Sequence, residues 1–337
     1  MTTAGDEGTA GPTGGAEALA RQLQDVAANV GSVLFGKREV VRLALACMAA
    51  GGHLLIEDLP GVGKTTLAKA LAQTLGLHCR RVQFTADLLP SDLIGAMIFD
   101  RERSAPVFHP GPIFTNILLA DELNRASPKA QSALLEAMEE GQVSVDGVTH
   151  PLPRPFMVIA TQNPYDSSGT YPLPFSQRDR FLLRTSIGYP GREAEDRLLA
   201  TTTERPRPED LPVVGGAAML ARLAQVVNEV YVAPEVRAYV LDVVEATRQH
   251  PNFIFGASPR AGLALLRTSS AFAVTTGRDY VIPDDVKAVA DVVLSHRLAM
   301  SSAAELGGFS ASSVVAELLA TVPVPVRASS RAPVAAG

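Results

Sequence analysis

Residues 54–66, LLIEDLPGVGKTT, hold the densest chemistry in the chain. Gly63, Lys64 and Thr65 fill the second half of the phosphate-loop pattern G-x-x-x-x-G-K-[ST]. Such a loop turns backbone N–H groups onto phosphate oxygens, aims a helix N-terminus at them and adds a lysine for the outer phosphates. Gly61 and Gly63 permit the close turns, Lys64 supplies the charge, and the Thr65 hydroxyl is placed to meet Mg²⁺. Asp58, however, stands where the pattern begins with glycine. That position lies where the chain leaves the preceding strand, before the part that wraps phosphates, and Pro60 can stiffen the exit instead. The run Asp58, Leu59, Pro60, Gly61, Val62, Gly63, Lys64, Thr65 and Thr66 therefore reads as a nucleotide cradle with one unusual residue.

A hydrolytic nucleotide site also needs a metal ligand and a base to activate water. NILLADELNRASP ends an apolar run with Asp121 and Glu122, one suited to Mg²⁺ and the other to the role of general base. Alone, two acids at a strand end are commonly just solvated; the upstream loop gives them meaning. FMVIATQNP ends in Asn163, which either holds the water or senses the terminal phosphate, or merely turns the chain before Pro164. YDSSGT contains D-x-S-x-T, part of a metal-ion adhesion pattern, but it lies within the segment already assigned to nucleotide binding.

These residues must be held by a repeating scaffold. Short apolar runs (HLLIE, CRRVQF, NILLAD, FMVIATQ and FLLRTSI) alternate with helical stretches, including one near 37–50 and TTLAKALAQTLG, which predicts an α/β fold with a parallel sheet. The helix after NILLAD is written with Ser127 as cap, Pro128 first and Gly141 last, with Ala130, Ala133, Leu134, Ala137 and Met138 on one face. From about residue 190 strand signals stop, and Ser258-Pro259 and Pro283-Asp284 open later helices. The expected organisation is a disordered tail at 1–16, an α/β core at 17–205, an all-α domain at 206–321 and a second disordered tail at 322–337.

Composition narrows the class. A net charge of −5 over 337 residues gives no general basic footprint for nucleic acid or an anionic membrane. Cys47 and Cys79 are far apart and form no C-x-x-C, which leaves zinc and dithiol chemistry without a basis. The start is acidic and Gly-rich rather than a signal peptide, and the most apolar run (43–56) is too short to span a membrane. The expectation is a cytoplasmic protein.

Taken together, EDLPGVGKTTLAKALA, FTADLLPSDLIG, LLADELNRASPKAQSALLEAMEEGQV, VIATQNP, GTYPLP, DRFLL and GASPRAGLALLR resemble the AAA+ ATPases, and within them the MoxR group. The resemblance covers most of residues 30–300. It implies a P-loop AAA+ core followed by a small all-α lid, with Mg-ATP bound between them, in a homo-oligomer expected to be a hexameric ring. Related proteins carry an acidic residue at the place of Asp58 and keep the nucleotide site. By the same resemblance Asn163 matches sensor 1, Arg260 matches sensor 2 and would lean on the terminal phosphate, and Arg180 matches the arginine finger for a neighbour's nucleotide. Gly36, in VLFGKREVV, would lie beside adenine. Residues 95–111 and 141–153 resemble the clade's two inserted hairpins, the second with Asp146-Gly147 at its turn.

The family's functions imply chaperone-like remodelling, maturation or metal insertion acting on protein clients, with a von Willebrand factor A-domain protein as partner. The motor subunit of a metal chelatase and a nucleotide switch that does not hydrolyse are the alternatives. One departure concerns the subunit interface. Phe175 replaces the family's acidic residue in PFSQRDRF, and Arg178 adds a second finger candidate beside Arg180.

Overall fold

The computed structural model describes residues 12–102, 104–164, 169–200 and 206–325. Its first part runs α1 (Pro12–Gly31), α2 (Arg38–Ala49), β1 (Leu54–Glu57), α3 (Lys64–Thr74), β2 (Cys79–Gln83), α4 (Pro90–Ile94), β3 (Gly95–Asp100) and β4 (Ala105–Pro110). There follow β5 (Ile117–Asp121), α5 (Pro128–Glu140), β6 (Gln142–Val145), β7 (Val148–Pro151), β8 (Met157–Gln162), α6 (Phe175–Arg178), β9 (Leu183–Thr185) and α7 (Arg192–Ala200). The second part holds α8 (Ala217–Glu229), α9 (Pro234–Gln249), β10 (Phe253–Phe255), α10 (Pro259–Thr275), α11 (Pro283–Leu294), β11 (Ala299–Met300), α12 (Ser302–Leu306) and α13 (Ala311–Thr321).

The five expected strands form one parallel sheet in the order β2–β5–β8–β1–β9. Its central strands are apolar almost throughout, because helices cover both faces. Strand alternation then sorts the residues. Leu54, Ile56, Ile117, Leu119 and Ile159 join the core beneath α1–α3, while Leu55, Leu118, Ala120, Val158 and Ala160 face α5. The two insert hairpins are present as β3–β4 and β6–β7, the latter turning through Asp146 (φ 49°) and Gly147 (φ 80°). The His150 ring stacks on Phe108 at 3.9 Å and ties one hairpin to the other.

Two expectations need correction. The segment 12–16 is helical rather than a tail, since α1 begins at Pro12. Gly14 and Gly15 argue against helix on propensity. They are overridden by the stripe Ala16, Leu19, Leu23, Val26 and Val30, which is buried in the core that α1 shares with α2 and α10. Strands also do not stop near 190. Phe253 and Phe255 pair antiparallel with Met300 and Ala299 inside the helical domain, a two-stranded element too short to read as a pattern. Residues 326–337 of the expected second tail, and 165–168 of the D-x-S-x-T motif, lie outside the described residues. Among the described residues no helix is long and apolar enough to cross a membrane.

His53 joins the sheet to the end of α5. Its Nδ1 accepts from the Val158 N–H at 3.0 Å, and its Nε2 donates to the Met138 carbonyl at 3.0 Å. Burial lowers its pKa to about 4. The unfolded chain, with an ordinary imidazole near 6.5, therefore binds a proton that the native state refuses until pH 4. Native stability should fall as pH drops from about 6.5 to about 4, by up to ~3 kcal/mol from this residue. Thermal unfolding followed from pH 7 to 4 should show that slope, and it should be shallower in His53→Gln.

Candidate active site

The tips of β1, β8 and β5 adjoin at the carboxyl edge of the sheet, where parallel strands place ligands. Glu57 at the end of β1 stands beside Gln162 at the end of β8, and Asp121 ends β5 beside Gln83 of β2. A cavity of about 400 Å³ opens there, lined by Pro60, Gly61, Gly63, Lys64, Thr65, Thr66, Arg81, Asp121, Glu122 and Asn163. Gly63 sits at φ 103° as the cap of α3, and a Cβ there would lie 2.8 Å from Leu34 Cδ1. Only glycine fits that position, which leaves the first N–H groups of α3 facing the cavity. Burial pulls the Lys64 ammonium below its usual range, against the pull of Asp58, Asp121 and Glu122. Its Nζ donates to the Asp58 carbonyl at 2.6 Å.

Asp58 does not line the cavity; it holds the loop from behind. Its buried carboxylate accepts Leu59 N–H at 2.8 Å through Oδ1, and Ile187 and Gly188 N–H, both at 2.6 Å, through Oδ2. The unusual residue is thus a clamp between the loop entrance and the chain after β9. Lys37 closes the same neighbourhood by donating to the Tyr189 carbonyl at 2.7 Å. Val62 is buried in the core and Leu59 packs against it, so both serve the loop's fold rather than its surface. Gly36 (φ 71°) stands off the phosphate cavity, with Ala194 of α7 beside it.

The two acids are organised by one hydroxyl. Thr161, fully buried, donates to Asp121 Oδ1 at 2.6 Å and accepts the Glu122 N–H at 2.9 Å. Arg81 grips Asp121 Oδ2 through Nη2 at 2.6 Å and Nε at 3.0 Å. Glu122 adopts φ 55°, a strained conformation for its type, and its Oε2 accepts from Gln83 at 2.9 Å and Arg125 at 3.1 Å. Among the described residues no three metal-binding side chains cluster. One carboxylate and one threonine hydroxyl in a phosphate cavity are instead the hard oxygen donors that suit Mg²⁺ carried with a polyphosphate.

The structure brings Asp121, Glu122 and Asn163 to the phosphate loop, but not the two arginines. Arg180 and Arg260 line a separate cavity with Gly52, Met138 and Arg267, and both reach Glu139, at 3.2 and 3.1 Å. Arg260 is therefore held apart from the phosphate cavity of its own chain. Arg178 is half-buried, its pKa lowered by that burial against the pull of Glu57, and its guanidinium lies 5.7 Å from the Phe175 ring centroid. The two departures in PFSQRDRF thus partner each other. Arg81 lies outside the quoted motifs, and Thr161 and Glu139 lie inside VIATQNP and LLEAMEEGQV with no role assigned to them there.

Comparison with known proteins gives a consistent answer. Residues 53–183 match the profile described as ATPase family associated with various cellular activities (AAA), and residues 245–318 match the AAA lid domain. The chain is 44% identical over 301 residues to the uncharacterised protein YeaC of Bacillus subtilis, covering 89% of this chain and 94% of that one. It is 40% identical to chaperone MoxR1 of Mycobacterium tuberculosis, over 93% of this chain and 86% of the relative. A crystal structure of a candidate ATPase from Cytophaga hutchinsonii superposes with TM-score 0.86 at 35% identity, covering 93% of this chain and 98% of that one.

Replacing Asp58 by glycine would restore the general loop pattern yet leave the Leu59, Ile187 and Gly188 N–H groups without their acceptor. Asp58→Gly should lower stability by about 2–4 kcal/mol, and ATP should stabilise it less than it does the parent protein. Thermal unfolding with and without ATP measures both.

Proposed function

The chain belongs to the MoxR family of AAA+ ATPases, and we propose that this ATP hydrolase is a ring-forming motor that remodels or matures client proteins. The observation that carries the reading is the division of the machinery between two cavities. One holds the phosphate loop, the acids and Asn163; the other holds Arg180 and Arg260. Arg81, which lines the first cavity, is taken up by Asp121, so a site that keeps Arg180 and Arg260 elsewhere reads as one completed by another subunit.

In the phosphate cavity the α3 N-terminus and Lys64 bind the β- and γ-phosphates. Thr65 and Asp121 would hold Mg²⁺, which supplies charge neutralisation when bound. Glu122 takes the proton of the attacking water, its carboxylate oriented by Gln83 and Arg125, and Asn163 holds that water or the γ-phosphate. Arg180 and Arg260 of the adjoining subunit meet the charge that develops on the transferred phosphoryl group. Their common contact with Glu139 supports one shared destination, an anion replacing that carboxylate. With Arg178 half-buried beside Phe175, and Arg180 reaching the same carboxylate as Arg260, we take Arg180 as the finger.

Ile98 and Phe99 are 51% and 63% exposed on the β3–β4 hairpin, and Val148 is 55% exposed near the tip of β6–β7. Apolar tips of this kind suit unfolded or partly folded protein, and a hexameric ring would gather them around a central pore. The chaperone name of the Mycobacterium relative supports a protein client. A von Willebrand factor A-domain protein is the partner class proposed, and the cytoplasm the expected compartment.

ATP hydrolysis per subunit should rise with protein concentration as rings assemble. In Arg180→Ala the rate should fall about a thousandfold or more while ATP binding is retained. A rate independent of concentration, with Arg180→Ala unaffected, would overturn trans completion.

A further inference from the structure

Arg180 sits in a short strap, residues 179–182, between α6 and β9. The strap is gripped from the second domain by a side chain that the mechanism above does not use. Arg297 follows α11 in a single 3₁₀ turn, Ser295–Arg297, and only 3% of it is exposed. Its Nε donates to Asp179 Oδ1 at 2.7 Å, and its Nη2 donates to the carbonyls of Asp179 (3.2 Å) and Phe181 (2.7 Å). Nη1 donates to the carbonyls of Leu182 (3.3 Å) and Val293 (2.9 Å). The neighbouring His296 donates from Nε2 to the same Phe181 carbonyl at 3.0 Å. From the other side the Leu182 N–H donates to the His53 carbonyl at 2.9 Å.

These contacts bracket Arg180 and leave it alone. Residues 179, 181 and 182 are fixed by these contacts, whereas among the described residues the Arg180 side chain makes an ion pair with Glu139 alone. A planar guanidinium can serve a carboxylate and several carbonyls at once, which an ammonium cannot. Burying such a charge is poor economy for stability alone, because desolvation offsets much of the attraction. The arrangement instead locks the strap to the helical domain. Arg260 already belongs to that domain as the second residue of α10, which packs along α11. Arg180 and Arg260 are thus both tied to the lid, one through the strap and one by its place on α10.

We infer that Arg297 is the positioning residue for Arg180, so that the lid of one subunit sets the finger that completes the next subunit's nucleotide site. This rests on the reading that Arg180 acts in trans, and the test separates the two. Each variant is assayed alone and in 1:1 mixtures, with ATP binding and folding checked by equilibrium titration and circular dichroism. Arg297→Gln alone should lose kcat at least tenfold with KM nearly unchanged, as Arg180→Ala does.

Lys64→Ala has an intact finger but no working site. Mixed with Arg180→Ala it should recover activity, since about a quarter of interfaces in a randomly mixed ring pair a good site with a good finger. Failure there overturns trans action itself. If that control succeeds, Lys64→Ala mixed with Arg297→Gln should recover to the same extent, while Arg180→Ala mixed with Arg297→Gln should not. Recovery with Arg180→Ala but not with Lys64→Ala would place the defect in the variant's own site and overturn the inference, as would recovery with neither partner or a raised KM with kcat intact. Should Arg297→Gln fail to fold, Arg297→Lys carries the same mixtures. It keeps the charge facing Asp179, loses the fork across the carbonyls, and is expected to show a smaller loss of kcat that Lys64→Ala still rescues. If R297K is also unfolded, the residue is a determinant of the fold and the inference falls.

Discussion

A buried carboxylate is costly unless its lone pairs are met, and Asp58 meets its own with three backbone N–H groups from two separate parts of the chain. That constraint explains much of what surrounds it. The chain after β9 must return to the mouth of the phosphate loop, because Ile187 and Gly188 supply two of the donors. The loop in turn starts from a fixed point, so Gly61 and Gly63 can turn freely without loosening the whole. Most phosphate loops begin with a residue that makes no demand on its neighbours; here the loop is fastened at its root.

The same economy runs through the rest of the site. Thr161 uses one hydroxyl to orient the side chain of Asp121 and the backbone of Glu122, so the two acids cannot shift independently. Arg81, from the edge strand, supplies a counter-charge to Asp121. His53 joins the sheet to the last turn of α5, next to Glu139, where Arg180 and Arg260 meet. Asp121, Glu122 and Glu139 are therefore placed by contacts at strand and helix ends rather than by free loops.

The helical domain is less separate than its sequence boundary implies. Its α10 packs on α1 and α2, and the core under the sheet continues into Tyr239, Leu265 and Val286 without a break. With Arg297 reaching back to the strap, the lid contacts the first domain both through apolar packing and through a buried ion pair. A displacement of this body would shift Arg260 and Arg297 against the Gly52, Met138 and Glu139 side of the second cavity.

Local sequence determined the chemistry on offer. Gly63, Lys64 and Thr65 after an apolar run, Asp121 and Glu122 at the end of another, and Ser127, Pro128 and Gly141 around α5 each act over a few residues. Propensity, capping and strand alternation decide such features without reference to distant chain. The parallel sheet followed by a helical domain was legible for the same reason. What the sequence left open depended on partners far away in the chain. Whether Asp58 weakened the loop was decided by Ile187 and Gly188, well over a hundred positions on. What sets Arg178 and Arg180 apart, the Phe175 ring beside one and Glu139 beside the other, lies outside the motif itself. Helix α1 extends through two glycines only because α2 and α10 bury its stripe, and β10–β11 exist only as a pair. Long-range burial and ion pairing carry no local periodicity, so only the tertiary structure could assign them.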